Sequence, residues 1–331
     1  MNRYLRVLAI FLPIIIGHTD YVHADTLKDR MAFWETKVFL CSEGGHSFPS
    51  KYQTSSPNEP SECDDGDMTL FNGLLCAAGD VRGCEGVRQA QDTSGRWWRS
   101  PRRIGMQAPK YDVSFSPDMA LGVLLYLAQT SDNAAFKSWV RWVDDSRPCI
   151  AELAGQCVVK GWPRICTDDS QDKRCTFRPS TCNYFELMGI KLGVPEGNLC
   201  RRVLQSFGIR ADYILPTTEM AMSNAVFNEP GYPMHLSAAE IFLIDKLQMT
   251  SVASRAGAVA LALRDSKNPF FLFLAEGASQ KVRDLVLEQC PSPQHPSRSR
   301  TQWAWERTSS DKAYLDSMYW DCIFMGRLLG A

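Results

Sequence analysis

Residues 68–78 read MTLFNGLLCAA and residues 119–128 read MALGVLLYLA, and neither stretch contains a charged side chain. A helix formed by either has no polar side to offer water and must be enclosed by protein. Both are too short to cross a bilayer, which takes about 20 apolar residues. The stretch that follows the second one differs. Phe136, Trp139, Val140 and Val143 fall at i, i+3, i+4 and i+7, with Lys137, Arg141 and Asp144 between them. That is a one-sided helix. A buried helix followed by a one-sided helix is the pattern of an inner layer covered by an outer one.

Capping signals carry the same reading along the chain. Ser116-Pro117 and Asn268-Pro269 each set an N-cap before a proline at the first helical position. Asn183 with Glu186, and Ser237 with Glu240, have capping-box spacing. Periodicity and caps together predict about twelve helices. They begin near residues 26, 67, 82, 117, 132, 183, 199, 217, 238, 252, 269 and 311. Asp67-Met68-Thr69-Leu70 and Asp118-Met119-Ala120-Leu121 open the two buried helices alike, a faint internal repeat. Strand patterns are scarce, and residues 46–65, 148–179 and 291–300 read as polar or proline-rich loops. The predicted fold is all-α, a two-layer array of helical hairpins with a disulfide-rich loop insertion.

Arg3 and Arg6 precede an apolar run at residues 7–16, and Val22 and Ala24 occupy the small-residue positions of a cleavage site. This is the layout of a secretory signal peptide over residues 1–24. Residues 25–331 then form a single all-helical domain. The expected location is the periplasm or the exterior, with no stable membrane insertion after cleavage.

The chain has 331 residues, 45% of them hydrophobic, which is enough for a core and excludes general disorder. The balance of 36 Lys+Arg against 37 Asp+Glu leaves a net charge of -1, which argues against a nucleic-acid partner. All 12 cysteines lie beyond residue 24, and no C-x-x-C occurs. Behind a signal peptide, such an even count reads as disulfides rather than zinc. Half of the cysteines fall within residues 149–200, which predicts a stapled, helix-poor excursion. Cys290 with Cys322 is the favoured distant pair. Cys76, inside an apolar helix, reads as either a bonded cysteine or a buried free thiol. Histidines with metal spacing, a glycine-rich phosphate loop and a G-x-S-x-G elbow are all missing from the sequence. No metal and no cofactor are expected.

Three constellations could carry chemistry. Residues 95–103 place Arg96, Arg99, Arg102 and Arg103 beside Trp97 and Trp98. A tryptophan face stacks on a sugar ring and arginine grips carboxylates, so the loop suits a glycan, and an anionic one. The bland alternative is a rim loop with its tryptophans packed inward. Trp303, Trp305 and Glu306 form a second set, in which large rings around Glu306 would raise its pKa and make it a general acid. Its alternative is a surface ion pair with Arg307. Asp67, Asp118 and Asp321 are acids at the starts of buried helices. The helix dipole explains the first two, whereas Asp321 lies in the apolar stretch Met318-Tyr319-Trp320-Asp321-Cys322-Ile323 and needs a partner or a function.

With these residues in view, the chain resembles the (α/α) toroid superfamily of six-hairpin glycosidases and related polysaccharide lyases. The resemblance is architectural and covers nearly all of the chain beyond the leader. It implies a cleft at one end of a helical barrel, a glycan substrate, and carboxylates as acid and base. On that analogy Glu306 is the acid and Asp118 or Asp67 the base. A glycan hydrolase is the favoured reading. A lyase would instead use Tyr232 or Tyr314, with His235 and the arginines neutralising a uronate. A non-catalytic protein that binds a glycan or another protein is the third. The oligomeric state is left open.

Overall fold

The computed structural model describes residues 26–42, 44–52, 63–64, 66–106, 115–167, 175–209, 217–295 and 317–331. The leader, Trp303, Trp305, Glu306 and Tyr314 lie outside these residues. Thirteen α-helices occur among those described. They are α1 (Leu27–Glu35), α2 (Met68–Ala77), α3 (Val81–Arg88), α4 (Pro117–Thr130) and α5 (Asn133–Asp145). After a β-hairpin come α6 (Pro179–Leu192), α7 (Leu199–Ser206), α8 (Thr217–Phe227) and α9 (Tyr232–Lys246). The last four are α10 (Val252–Arg264), α11 (Pro269–Glu276), α12 (Gln280–Gln289) and α13 (Trp320–Leu328). Strands are confined to three short antiparallel pairs. These are β1 (Leu40–Cys41) with β2 (Phe48–Pro49), β3 (Lys51–Tyr52) with β4 (Cys63–Asp64), and β5 (Cys149–Leu153) with β6 (Gln156–Lys160).

The two charge-free stretches form the centre, as their composition demands. Every residue of α2 is buried, and so is the run from Met119 to Ala128 in α4. α2 packs on α4, and α4 on α9. The α2–α4 contact is set by Gly73 and Gly122, which face each other so closely that a Cβ on either would fall inside the other helix's backbone. α5 covers this layer with one face, burying Phe136, Trp139, Val140 and Val143. The predicted N-caps form at Ser116, which accepts from the Met119 N–H, and at Asn268, which accepts from the N–H groups of Phe270 and Phe271.

The two capping boxes do not form. α6 starts at Pro179, so Asn183 and Glu186 stand inside it. α9 starts at Tyr232 after Gly231, whose φ of +92° is a glycine conformation. Ser237 and Glu240 therefore lie in the second and third turns. In both helices proline occupies the first turn, where its fixed φ suits a helix start, and this moves the beginning upstream. The repeat is loose as well: Asp67 is the N-cap of α2, whereas Asp118 follows the N-cap of α4.

All twelve cysteines are paired, as Cys41–Cys63, Cys76–Cys84, Cys149–Cys157, Cys166–Cys175, Cys182–Cys200 and Cys290–Cys322. Cys76 is thus bonded rather than free, tying α2 to α3. The excursion at 149–200 is stapled, but it is not uniformly helix-poor, because Cys182–Cys200 joins α6 to α7. Six disulfides belong to an oxidising, extracellular type of environment. No helix among the described residues is long and apolar enough to cross a membrane.

Candidate active site

The α4–α9 contact and the early start of α6 together enclose a cavity of about 290 Å³. α4 contributes Pro117, Asp118 and Leu121 from its N-terminal end. α6 brings Arg178, Ser180, Thr181 and Tyr184. α8 supplies Asn224, and α9 supplies Ser237 and Glu240. Three helices therefore begin at this cavity. Their partial positive ends favour negative charge, which suits Asp118 in the first turn of α4.

Two carboxylates face the space. Oδ2 of Asp118 accepts a hydrogen bond from the Tyr232 hydroxyl at 3.1 Å. Oε2 of Glu240 accepts one from Nδ2 of Asn224 at 3.0 Å. Burial pushes the Glu240 carboxyl above its ordinary value and the charge of Asp118 adds to the rise; the Asn224 hydrogen bond and the Arg178 charge oppose it without cancelling it. Burial, then the charge of Glu240, likewise raise the Tyr184 phenol. Tyr184 thus presents a neutral hydroxyl. A raised carboxyl beside a second carboxylate is an arrangement that can supply an acid and a base.

Of the residues singled out in the sequence, the structure places Asp118 on the cavity wall and bonds Tyr232 to it from just outside the lining. His235 is adjacent: 5% exposed, it stacks on Tyr232 with centroids 6.4 Å apart and the planes 25° apart. It also packs against Phe270 and does not line the cavity. Asp67 is elsewhere, paired with Nη1 of Arg99 at 2.9 Å. Asp321 is buried in the first turn of α13 and does not reach the cavity.

The tryptophan–arginine loop takes the bland form. Trp97 is 1% exposed and packs edge-on against Tyr126 and Trp139. Trp98, also buried, donates its ring N–H to Asp92 at 2.8 Å. The Arg96 guanidinium lies 3.8 Å from the Trp98 ring centroid. Arg99 also donates to the Gly66 carbonyl, and Arg102 sits on a 3-10 turn, Pro101–Arg103. None of these five loop residues lines the cavity. A sugar needs an open ring face for stacking, and Trp97 and Trp98 have none.

Glu240, Arg178 and Asn224 were not among the sequence candidates for this site. Glu240 had a signal of its own. It is the single acid within residues 232–244, YPMHLSAAEIFLI, the same kind of isolation that drew attention to Asp321. Its spacing from Ser237 fits a helix cap equally well, so the local pattern does not separate the two roles. Arg178 and Asn224 carry no such local mark.

Comparison of the chain with protein-family models, with curated proteins and with solved structures finds no match. The site's own chemistry therefore carries the functional reading.

Proposed function

We propose that the protein is an exported glycan hydrolase, active in the periplasm or outside the cell, with Glu240 as general acid and Asp118 as the carboxylate base. The observation that carries this reading is a carboxyl raised by burial, Glu240, in one cavity with a second carboxylate, Asp118, whose charge adds to the rise. Glycoside cleavage needs a carboxyl that holds its proton to protonate the leaving oxygen, and a second that is charged. Tyr232 orients Asp118 through its hydroxyl, and Asn224 holds Glu240. Buried α2 and α4, covered by one-sided helices such as α5, support placing these groups at one end of an (α/α) toroid.

The test is product analysis on a panel of soluble polysaccharides. Hydrolysis releases new reducing ends with no ultraviolet-absorbing product. An unsaturated, absorbing product would instead make Tyr232 the proton-transfer group of a lyase. Tight binding with no cleavage of any member would leave a glycan-binding protein.

A further inference from the structure

Arg178 stands where a cation is disfavoured. It is the N-cap of α6, whose end carries partial positive charge. Its side chain makes no direct ion pair or hydrogen bond among the described residues, although its charge reaches Glu240. It nevertheless lines the cavity, next to Ser180 and Thr181. Thr181 is 7% exposed, faces the same space, and its hydroxyl has no partner among the described residues. That hydroxyl can therefore bond a ligand held in the cavity. The backbone N–H groups of Ser180 and Thr181, in the first turn of α6, have no intrahelical acceptor.

We propose that Arg178, Thr181 and the first turn of α6 form a subsite for a carboxylate on the substrate, so that the cavity takes a uronic-acid residue. This rests on the reading of the cavity as the glycan site. A guanidinium fork matches a carboxylate bidentately, and first-turn amides complete the cradle. The placement also accounts for how a cavity holding Asp118 and Glu240 accepts an anion: the substrate's charge is held at α6, and the carboxyl pair is carried on α4 and α9.

The test is isothermal titration of the full exported chain with three probes: oligosaccharides of polygalacturonate, of hyaluronan and of alginate. Each is compared with its carboxyl-reduced counterpart. At least one acidic probe is expected to bind about 10–100-fold more tightly than its reduced form. Arg178→Gln should weaken the acidic probe more than its reduced form and so remove most of that difference. Arg178 is exposed, so the variant should fold, and Thr181→Val should reduce the same preference. Equal binding of acidic and reduced probes, equal weakening of both by Arg178→Gln, or no binding of any acidic probe would overturn the subsite. Carboxylate-selective binding with no cleavage would sink the hydrolase and keep the subsite. Cleavage without carboxylate selectivity would do the reverse.

Discussion

The Tyr232 hydroxyl donates to Oδ2 of Asp118 at 3.1 Å, joining the first turn of α9 to the first turn of α4 across 114 positions of chain. Two helix starts are thereby locked at the cavity, with His235 stacked behind the phenol. Glu240 is carried on the same helix, so one contact bears on the placement of both proposed catalytic carboxyls. Tyr232→Phe removes that hydrogen bond and keeps the ring. Hydrogen bonds to charged groups contribute about 1.5–3 kcal/mol, so cleavage should slow by at least about 10-fold. Cleavage by Tyr232→Phe at the wild-type rate would mean that Tyr232 only shapes the cavity.

Glu240 predicts a conflict between function and stability. Its carboxyl is raised in the folded protein. The folded state therefore holds the proton more tightly than the unfolded chain does, and stability falls as pH rises from the unfolded value through the folded one. Glu240→Gln keeps the shape and removes the titration. It should abolish cleavage yet melt at or above the wild-type temperature at pH 8, with the gap closing at pH 4. Thermal melts at the two pH values check this. A variant less stable than wild type at pH 8 would count against a raised Glu240.

Trp97 predicts the opposite separation. It is enclosed by Tyr126 and Trp139 rather than by open space. Trp97→Ala should cost about 3–5 kcal/mol in denaturant unfolding, as is usual for a buried aromatic. Glycan affinity per folded molecule should stay within about two-fold, because stability effects at buried sites away from a ligand leave binding unchanged. A selective loss of affinity with unchanged stability would return this loop to the site.

These outcomes mark what the sequence made legible. Residues 68–78 and 119–128 had no polar face, so burial of α2 and α4 followed from composition alone. Ser116, Asn268 and the face carrying Trp139 were equally local signals, and each formed as expected. Cys290 with Cys322 was recoverable because both flank the last segments of the chain. What failed was whatever depended on tertiary choice. Pro179 and Pro233 decided where α6 and α9 begin, and a three-residue capping spacing competed with them and lost. That shift turned Glu240 from a cap into a cavity wall. α12 carries a weak sequence signal because only Val282, Val286 and Gln289 of its ten residues are buried. The tryptophan–arginine loop looked functional because composition cannot tell an inward-facing ring from an outward one.

The polar seam between α1, α3 and α13 gives a prediction independent of function. Arg82 pairs with Glu35 and Asp80 at 2.6 Å each, and Arg327 reaches the same two acids. Burial pushes the Asp80 carboxyl up, but the hydrogen bond and charge of Arg82, with the charge of Arg327, outweigh it and hold it below its ordinary value. Its contribution is present above the unfolded carboxylate pKa and is lost as pH falls through the folded one. Asp80→Asn should cost about 3 kcal/mol at pH 7, the low end for breaking a buried pair, because both arginines still reach water. The cost should shrink at pH 3, as denaturant unfolding at the two pH values would show.

The most direct measurement is the pH dependence of reducing-end release by the wild type, Asp118→Asn and Glu240→Gln, on whichever panel polysaccharide the wild type cleaves. The account predicts a bell-shaped wild-type profile. Its alkaline limb should come from Glu240 and vanish in Glu240→Gln, with rates in both variants down by at least about 100-fold, the lower range for a removed acid or base. Variants that cleave at the wild-type rate with the same profile would contradict it.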